Sequence, residues 1–207
     1  MDKKKSVSTL IFDLGGVIIN LDLPRCIQNI KKLGVPTIES YLSNFGQKEF
    51  FLQFEKGEID TIAFRNEIRK LCDRELSDNE IDDAWCSFLV DIPTERLELL
   101  EKLRSKYKLL LLSNSNPLHV EVSVANALIG TGKSIRDYFD KCYFSYEMGL
   151  TKPDPNIFKT LLTDAGIEAS ECLFLDDGPK NIEAANALGM QTHFVTQGEN
   201  LDFLLTL

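Results

Sequence analysis

The chain has 207 residues, a length that accommodates one hydrophobic core, or one core with a small inserted module. Hydrophobic residues make up 43% of it and charged residues 27%, which is ordinary for a globular protein and excludes a disordered chain. The formal net charge of −9 repels nucleic-acid backbones, the five scattered cysteines lack the paired spacing of zinc ligands, and no apolar run reaches membrane-spanning length. We therefore expect a cytoplasmic protein with reduced thiols that binds neither nucleic acid nor membrane.

Short apolar runs that end at loops recur along the chain and are typical of buried parallel strands. Helical patterns separate the later runs. That alternation predicts an α/β fold with a doubly wound, Rossmann-like parallel sheet. The predicted strands cover residues 9–12, 109–112, 142–146, 172–175 and 192–195.

Two predicted helices after the third and fourth strands carry clear boundary signals. Asp154 followed by Pro155 is typical of a helix start, and Gly166 of its end. Pro179 and Gly189 bracket the second helix in the same way.

The stretch between the first two strands is far too long for a crossover connection, and its periodicity is helical throughout. We predict an inserted α-helical cap at residues 21–92 and an α/β core formed by residues 1–20 and 93–207. Ser77 and Glu80 form a capping box at the start of one cap helix. Apolar faces follow on this helix and on an earlier one, and they comprise Ile81, Ala84, Trp85 and Phe88, and Phe64, Ile68 and Leu71.

Four polar motifs lie at or after the ends of predicted strands. Each alone is weak evidence, because a carboxylate at a strand end is common and a Ser-Asn pair is usually turn chemistry. Their joint order is informative, since ligands of α/β folds bind at the carboxyl edge of the sheet. In chain order the motifs contain Asp13, Ser113-Asn114, Lys152 and Asp176-Asp177.

Phosphoryl-transfer chemistry would use this set of side chains together. A carboxylate such as Asp13 can attack phosphorus, while hydroxyl and amide groups donate to the phosphoryl oxygens and a lysine offsets their charge. Mg²⁺ prefers hard oxygen ligands, which Asp13, the Asp176-Asp177 pair and a backbone carbonyl at Gly15 can supply. Without a cation, three carboxylates in one cleft would raise one another's pKa.

In these motifs the chain resembles the haloacid dehalogenase superfamily, whose four motifs fall in this order with a helical cap between the first and second. The resemblance covers nearly the whole chain, and it implies a central strand that carries the nucleophile beside the strands of the second and fourth motifs. It also implies a site with Mg²⁺ as cofactor. The implied roles are Asp13 as nucleophile and metal ligand, Gly15 (through its carbonyl) and Asp177 as metal ligands, Asp176 as a ligand directly or through water, Ser113 and Asn114 as phosphate-binding residues, and Lys152 as a catalytic and phosphate-binding residue.

The first motif departs from the usual pattern at Gly15. Phosphatases of this superfamily usually have a second aspartate there, which serves as general acid and base. The Asp-Leu-Gly-x-Val variant, together with residues 113–116 and 55–59, resembles the subgroup that includes bacterial glucose-1-phosphate phosphatases. The acid is then unassigned. His119 has a suitable pKa range but is more typical of a packing residue, and Glu147 is better explained by an ion pair near Lys152.

The resulting hypothesis is a Mg²⁺-dependent phosphatase whose partner is a small phosphorylated metabolite and which forms an aspartyl-phosphate on Asp13. Because Gly15 offers no proton donor, leaving groups that depart as anions should be favoured. Sugar 1-phosphates should then be hydrolysed faster than sugar 6-phosphates, and aryl phosphates faster than both.

Two alternatives stay open at this stage. A metal-free dehalogenase also lacks the second aspartate, but the Asp176-Asp177 pair would repel a carboxylate substrate. A non-catalytic or weakly active phosphate-binding protein would have lost turnover along with the acid, and the presence of Asp13, Lys152 and both distal carboxylates argues against it.

Overall fold

A computed structural model of the chain describes residues 6–42 and 49–207. The parts of the predicted core and cap at residues 1–5 and 43–48 lie outside the described residues. Within the described part, five parallel strands form one sheet in the order β3-β2-β1-β4-β5. The strands are β1 Thr9–Phe12, β2 Lys108–Ser113, β3 Lys141–Phe144, β4 Cys172–Asp176 and β5 Gln191–Phe194.

Strand β1 lies at the centre of the sheet, between β2 and β4. Phe12 is in register with Leu111 on one side and with Leu175 on the other. The predicted doubly wound, Rossmann-like fold is confirmed, as is the central position of the strand that precedes Asp13. The residues that follow β1, β2 and β4 therefore meet at one edge of the sheet.

Helices cover both faces of the sheet. Alternate residues of β1 point to opposite sides of the sheet. Ile11 packs with the helices that follow β3 and β4, whereas Leu10 and Phe12 belong to the core that continues into the helices between β1 and β2. The helices are α1 Leu23–Lys32, α2 Glu49–Glu55, α3 Thr61–Lys70, α4 Asp78–Cys86, α5 Thr94–Leu103, α6 Ala125–Ala127, α7 Ser145–Met148, α8 Pro155–Ala165 and α9 Pro179–Ala187, with a π-helical segment His119–Val124 leading into α6. None of these described helices is both long and apolar enough to cross a bilayer.

The predicted helix boundaries are confirmed where local chemistry sets them. Asp154 caps α8 by accepting a hydrogen bond from Asn156 N at 2.9 Å, and Gly166 ends that helix with a φ of 64°. At the start of α4, Ser77 N donates to the Glu80 carboxylate at 2.9 Å, and Glu80 N donates back to Ser77 Oγ at 3.3 Å.

The helices between β1 and β2 pack around an aromatic cluster. The rings of Phe54 and Phe64 stack with centroids 4.3 Å apart, and Phe51 lies 5.2 Å from Trp85. This cluster is continuous with the core on one face of the sheet. The division into a core at 1–20 and 93–207 and a cap at 21–92 stays a prediction.

Two predicted strand features are corrected. Residues 145 and 146 were expected to extend the third strand, but β3 ends at Phe144 and helix α7 begins at Ser145. The fifth strand was expected to be buried, yet Phe194 is 47% exposed. Strand β5 is an edge strand with one neighbour, so its outer side lacks the cover that the central strands have.

The turn after α2 contacts the segment after β3 without intervening side chains. Gly57 has a φ of 66°, and a Cβ atom added there would lie 2.2 Å from Tyr146 O. Next to it, the buried Ser145 hydroxyl donates to Glu55 O at 2.6 Å. The end of α2 is thus attached to the segment after β3 through the Ser145 hydroxyl and through the close approach of Gly57 to Tyr146 O.

This contact predicts the effect of Gly57→Ala. A left-handed backbone costs an L-residue about 1–2 kcal/mol, and here the methyl group also meets a backbone oxygen. Gly166→Ala is the matched control, because Gly166 has a φ of 64° with no atom within 4 Å of the added Cβ. Urea unfolding should show a larger loss of unfolding free energy for Gly57→Ala, and equal losses would contradict the close contact.

Candidate active site

Asp13 follows β1 and is held at the carboxyl edge of the sheet. Its N–H donates to Leu175 O at 2.8 Å, and Leu14 N donates to Asp13 Oδ1 at 2.7 Å. Burial raises the pKa of Asp13, Lys152 opposes that rise, and Asp176 and Asp177 add to it. The side chain is therefore fixed in a dry, crowded position.

Lys152 is the cation of this centre and is only 4% exposed. Its Nζ donates to Asp13 Oδ1 at 2.8 Å, to Asp176 Oδ2 at 2.7 Å and to Leu112 O at 2.9 Å. These contacts use all three protons of the ammonium group. Burial lowers the pKa of Lys152, but Asp13 and Asp176 outweigh it and hold the pKa above its ordinary value, so the group is charged.

Asn114 fixes the backbone of Lys152. Its Nδ2 donates to Lys152 O at 2.9 Å, and Lys152 N donates to its Oδ1 at 2.8 Å. The structure thus gives Asn114 a positioning contact with Lys152, and the predicted phosphate contact of Asn114 stays a prediction. Ser113 is buried beside the same cleft, with its Oγ 3.4 Å from Asn114 O, at the limit of a hydrogen bond.

Three carboxylates meet in this centre. One oxygen each of Asp13, Asp176 and Asp177 lies within 4.8 Å of the others. Both oxygens of Asp176 accept from the protein, Oδ1 from Gly178 N at 2.7 Å and Asn181 Nδ2 at 2.9 Å, and Oδ2 from Lys152. Burial, with the charge of Asp176, raises the pKa of Asp177 to about 6 against the opposing charge of Lys152.

The donor set fits a hard divalent cation. Three carboxylates cluster here beside one ammonium group, which contacts two of them, so negative charge exceeds positive charge in the cluster. Oxygen ligands of this kind suit Mg²⁺. Gly15 lies in the same cleft and carries no side chain that could obstruct an ion at its carbonyl.

A protein-family model described as a hydrolase, haloacid dehalogenase-like, matches residues 7–189. The chain belongs to the haloacid dehalogenase-like hydrolases. It is 36% identical over 186 residues to a D-ribitol-5-phosphate phosphatase of Bacteroides thetaiotaomicron. The aligned region covers 90% of each of the two chains.

Solved structures of other haloacid dehalogenase-like proteins share the whole architecture. One is an enzyme of Bacteroides thetaiotaomicron, crystallised with magnesium and inorganic phosphate after an aspartate-to-alanine change. It matches with a TM-score of 0.92 and 45% identity, over 96% of this chain and 98% of that one. A protein of Porphyromonas gingivalis, described as a predicted hydrolase of this family, matches with a TM-score of 0.90 and 35% identity, over 98% of this chain and 97% of that one.

Neither His119 nor Glu147 is suited to act as the general acid in this haloacid dehalogenase-like hydrolase. His119 stacks on Trp85 at 4.6 Å, its Nε2 lies 3.4 Å from Trp85 O, and burial lowers its pKa to about 3. It is a neutral packing residue. Glu147 has the salt bridge that was predicted for it in place of an acid role, and its partner is Arg136 at 2.5 Å.

Sequence reasoning missed Glu55 as a site residue. Its carboxyl group is buried, and burial raises its pKa to about 8, with Lys152 opposing and Asp13 adding to the shift. The available signal was its spacing: Glu55 lies four residues after Phe51 on the apolar face of α2. The cleft is lined by Asp13, Leu14, Gly15, Leu21, Glu55, Phe88, Leu89, Ser113, Asn114, Ser115, His119, Lys152, Asp177 and Asn181.

Proposed function

We propose that the chain is a Mg²⁺-dependent phosphatase that hydrolyses small phosphate monoesters through an aspartyl-phosphate on Asp13. The observation that carries the proposal is the position of Lys152 between Asp13 and Asp176, within a cluster of three carboxylates at the carboxyl edge of the sheet. The named activity of the Bacteroides relative supports the same reaction class.

Each polar side chain of the cleft has a separate role in the proposed phosphoryl transfer. Asp13 is the nucleophile, and its fixed carboxylate needs no reorientation before attack on phosphorus. Lys152 compensates charge on Asp13 and Asp176 and stabilises the charge that develops on the phosphoryl group. The Ser113 hydroxyl donates a hydrogen bond to a phosphoryl oxygen, while Asn114 keeps Lys152 in place.

Asp13, Asp177 and the Gly15 carbonyl would hold Mg²⁺ directly. Asp176 would reach it through water, because both of its oxygens already accept hydrogen bonds from the protein. When bound, Mg²⁺ supplies Lewis-acid polarisation of the phosphoryl oxygens and offsets their charge.

The substrate class that we propose is small sugar and polyol phosphates. The relative at 36% identity is named for a pentitol 5-phosphate, and the resemblance in the first motif favours sugar 1-phosphates. Both kinds of compound present a phosphate to the charged end of the cleft and hydroxyl groups to its rim. A comparison of the two on the purified protein decides between them.

Removal of the metal provides a direct test. We expect phosphate release from ribitol 5-phosphate or from sugar phosphates to cease in excess EDTA and to return with Mg²⁺. Asp177→Asn should raise the Mg²⁺ concentration for half-maximal activity by about tenfold or more, since it removes one charged ligand. Asp164→Asn is the control, because Asp164 lies outside the cleft and pairs with Lys141. Halide release from 2-haloacids without Mg²⁺ dependence would contradict the proposal.

A further inference from the structure

We propose that Glu55, at the end of α2, is the proton donor and acceptor that takes the place of the aspartate absent at position 15. The inference rests on the proposed phosphatase function and deepens it. It assigns the general acid to a residue about 40 positions away from the nucleophile in sequence.

The first observation is the location of the carboxyl group. Glu55 is 7% exposed and lines the same cleft as Asp13, Ser113 and Lys152. Within residues 6–42 and 49–207, no hydrogen bond or ion pair engages its carboxyl oxygens. Burial of a carboxyl group without such a partner is costly, so it is typical of groups that have a function.

The second observation is that the backbone of Glu55 is anchored to the segment that follows β3. The fully buried Ser145 hydroxyl donates to Glu55 O at 2.6 Å and accepts from Ser115 N at 2.9 Å. Two residues later, Gly57 lies so near Tyr146 O that an added Cβ atom would be 2.2 Å from that oxygen. The position of Glu55 is therefore fixed next to the segments that follow β2 and β3, close to the Ser113 motif.

The third observation is the balance of charge around Glu55. The charge of Lys152 lowers the pKa of Glu55, and the charge of Asp13 raises it. The same cleft also contains Asp177 and the neutral His119. Burial is the largest influence and raises the pKa of Glu55. A protonated carboxyl group near neutral pH is the state that a general acid requires.

The proposed reaction cycle has two steps, the phosphorylation of Asp13 and the hydrolysis of the aspartyl-phosphate. Asp13 Oδ forms a bond to phosphorus as the ester P–O bond breaks, and the Glu55 proton passes to the departing alkoxide. The Glu55 carboxylate then takes a proton from water as the water oxygen bonds to phosphorus. The bond between phosphorus and the aspartyl oxygen breaks, its electron pair returns to Asp13, and Glu55 is again protonated.

This assignment changes the expected leaving-group dependence. A donor at Glu55 allows alkoxides of ordinary alcohols, such as the primary alkoxide of ribitol, to leave as neutral alcohols. The wild type should then show a shallow dependence of kcat/KM on leaving-group acidity. The absence of an acid at Gly15 predicts a steep dependence of kcat/KM on leaving-group acidity. That steep dependence should appear when Glu55 is replaced by a residue that cannot donate a proton.

The test compares Glu55→Gln with Glu58→Gln, which removes an exposed glutamate from the same turn. With ribitol 5-phosphate we expect kcat/KM of Glu55→Gln to fall about 10²–10⁴-fold. With 4-nitrophenyl phosphate, kcat/KM should stay within about tenfold of the wild type, on the scale where tenfold is about 1.4 kcal/mol of barrier. A burst of one nitrophenolate per protein should precede slow turnover, because water attack has lost its base. Glu58→Gln should match the wild type in every measurement.

The results of these measurements distinguish a failure of the Glu55 assignment from a failure of the proposed phosphatase function. Equal losses of Glu55→Gln on both substrates, without a burst, overturn the role of Glu55, as does unchanged hydrolysis of ribitol 5-phosphate. A wild type that hydrolyses neither substrate with Mg²⁺ overturns the proposed function itself. Thermal unfolding checks that Glu55→Gln is folded, and Glu55→Asp, which withdraws the carboxyl group by one methylene, should give an intermediate loss on ribitol 5-phosphate.

Discussion

Asp13→Asn is expected to abolish turnover and to leave the fold intact. The amide is a poor nucleophile, and loss of a nucleophile in hydrolases costs roughly 10⁴-fold or more in rate. The substitution is nearly isosteric, and Lys152 keeps its contacts with Asp176 and Leu112. Phosphate release at saturating Mg²⁺ measures the effect, and acid quenching of the wild type, but not of the variant, should trap a phosphorylated protein.

Thermal unfolding of Asp13→Asn provides the control for misfolding. Its midpoint should lie close to that of the wild type, because the substitution also removes one of three mutually repelling carboxylates. Residual hydrolysis within about tenfold of the wild type, on the scale where tenfold is about 1.4 kcal/mol of barrier, would remove Asp13 from the role of nucleophile.

Lys152→Ala is expected to cost both stability and activity. It leaves the carboxylates of Asp13 and Asp176 buried without their cation, and breaking a buried pair in this way costs about 3–5 kcal/mol. Urea unfolding in EDTA measures this cost without compensation by a bound metal. Phosphate release should fall with it, since the charge that stabilises the transferred group is gone.

Lys141→Ala is the matched control for Lys152→Ala. Lys141 pairs with Asp164 at the exposed surface, where an ion pair contributes about 0–1 kcal/mol. Lys152→Arg should rescue poorly, because a planar guanidinium cannot place three donors on the acceptors that one ammonium now serves. A loss of less than about 1 kcal/mol for Lys152→Ala would show that the buried charges are compensated by other groups.

The strands and the site motifs were predictable because their signals are local. An apolar run, a Pro at a helix start or a capping box is complete within a few residues, and parallel strands bring their ends to one edge. Asp13, Lys152 and the Asp176-Asp177 pair were placed correctly at that edge for this reason.

Contacts between distant segments were not predictable in the same way. The position of Glu55 depends on how α2 meets the segment after β3, which no local pattern encodes. The pairing of Asn114 with the Lys152 backbone and of Glu147 with Arg136 likewise depends on tertiary placement. Each of these polar side chains could equally well face solvent, so the sequence alone does not indicate which partner it contacts.

The contacts that hold Lys152 at both its backbone and its ammonium group determine when the entropic cost of ordering that lysine arises. A flexible lysine loses about 1.5–2 kcal/mol of side-chain entropy when it is immobilised. Here the loss belongs to folding, because Asn114, Leu112 and two aspartates already hold the residue. A phosphorylated ligand therefore meets a preorganised cation, and binding does not have to include the entropic cost of ordering this side chain.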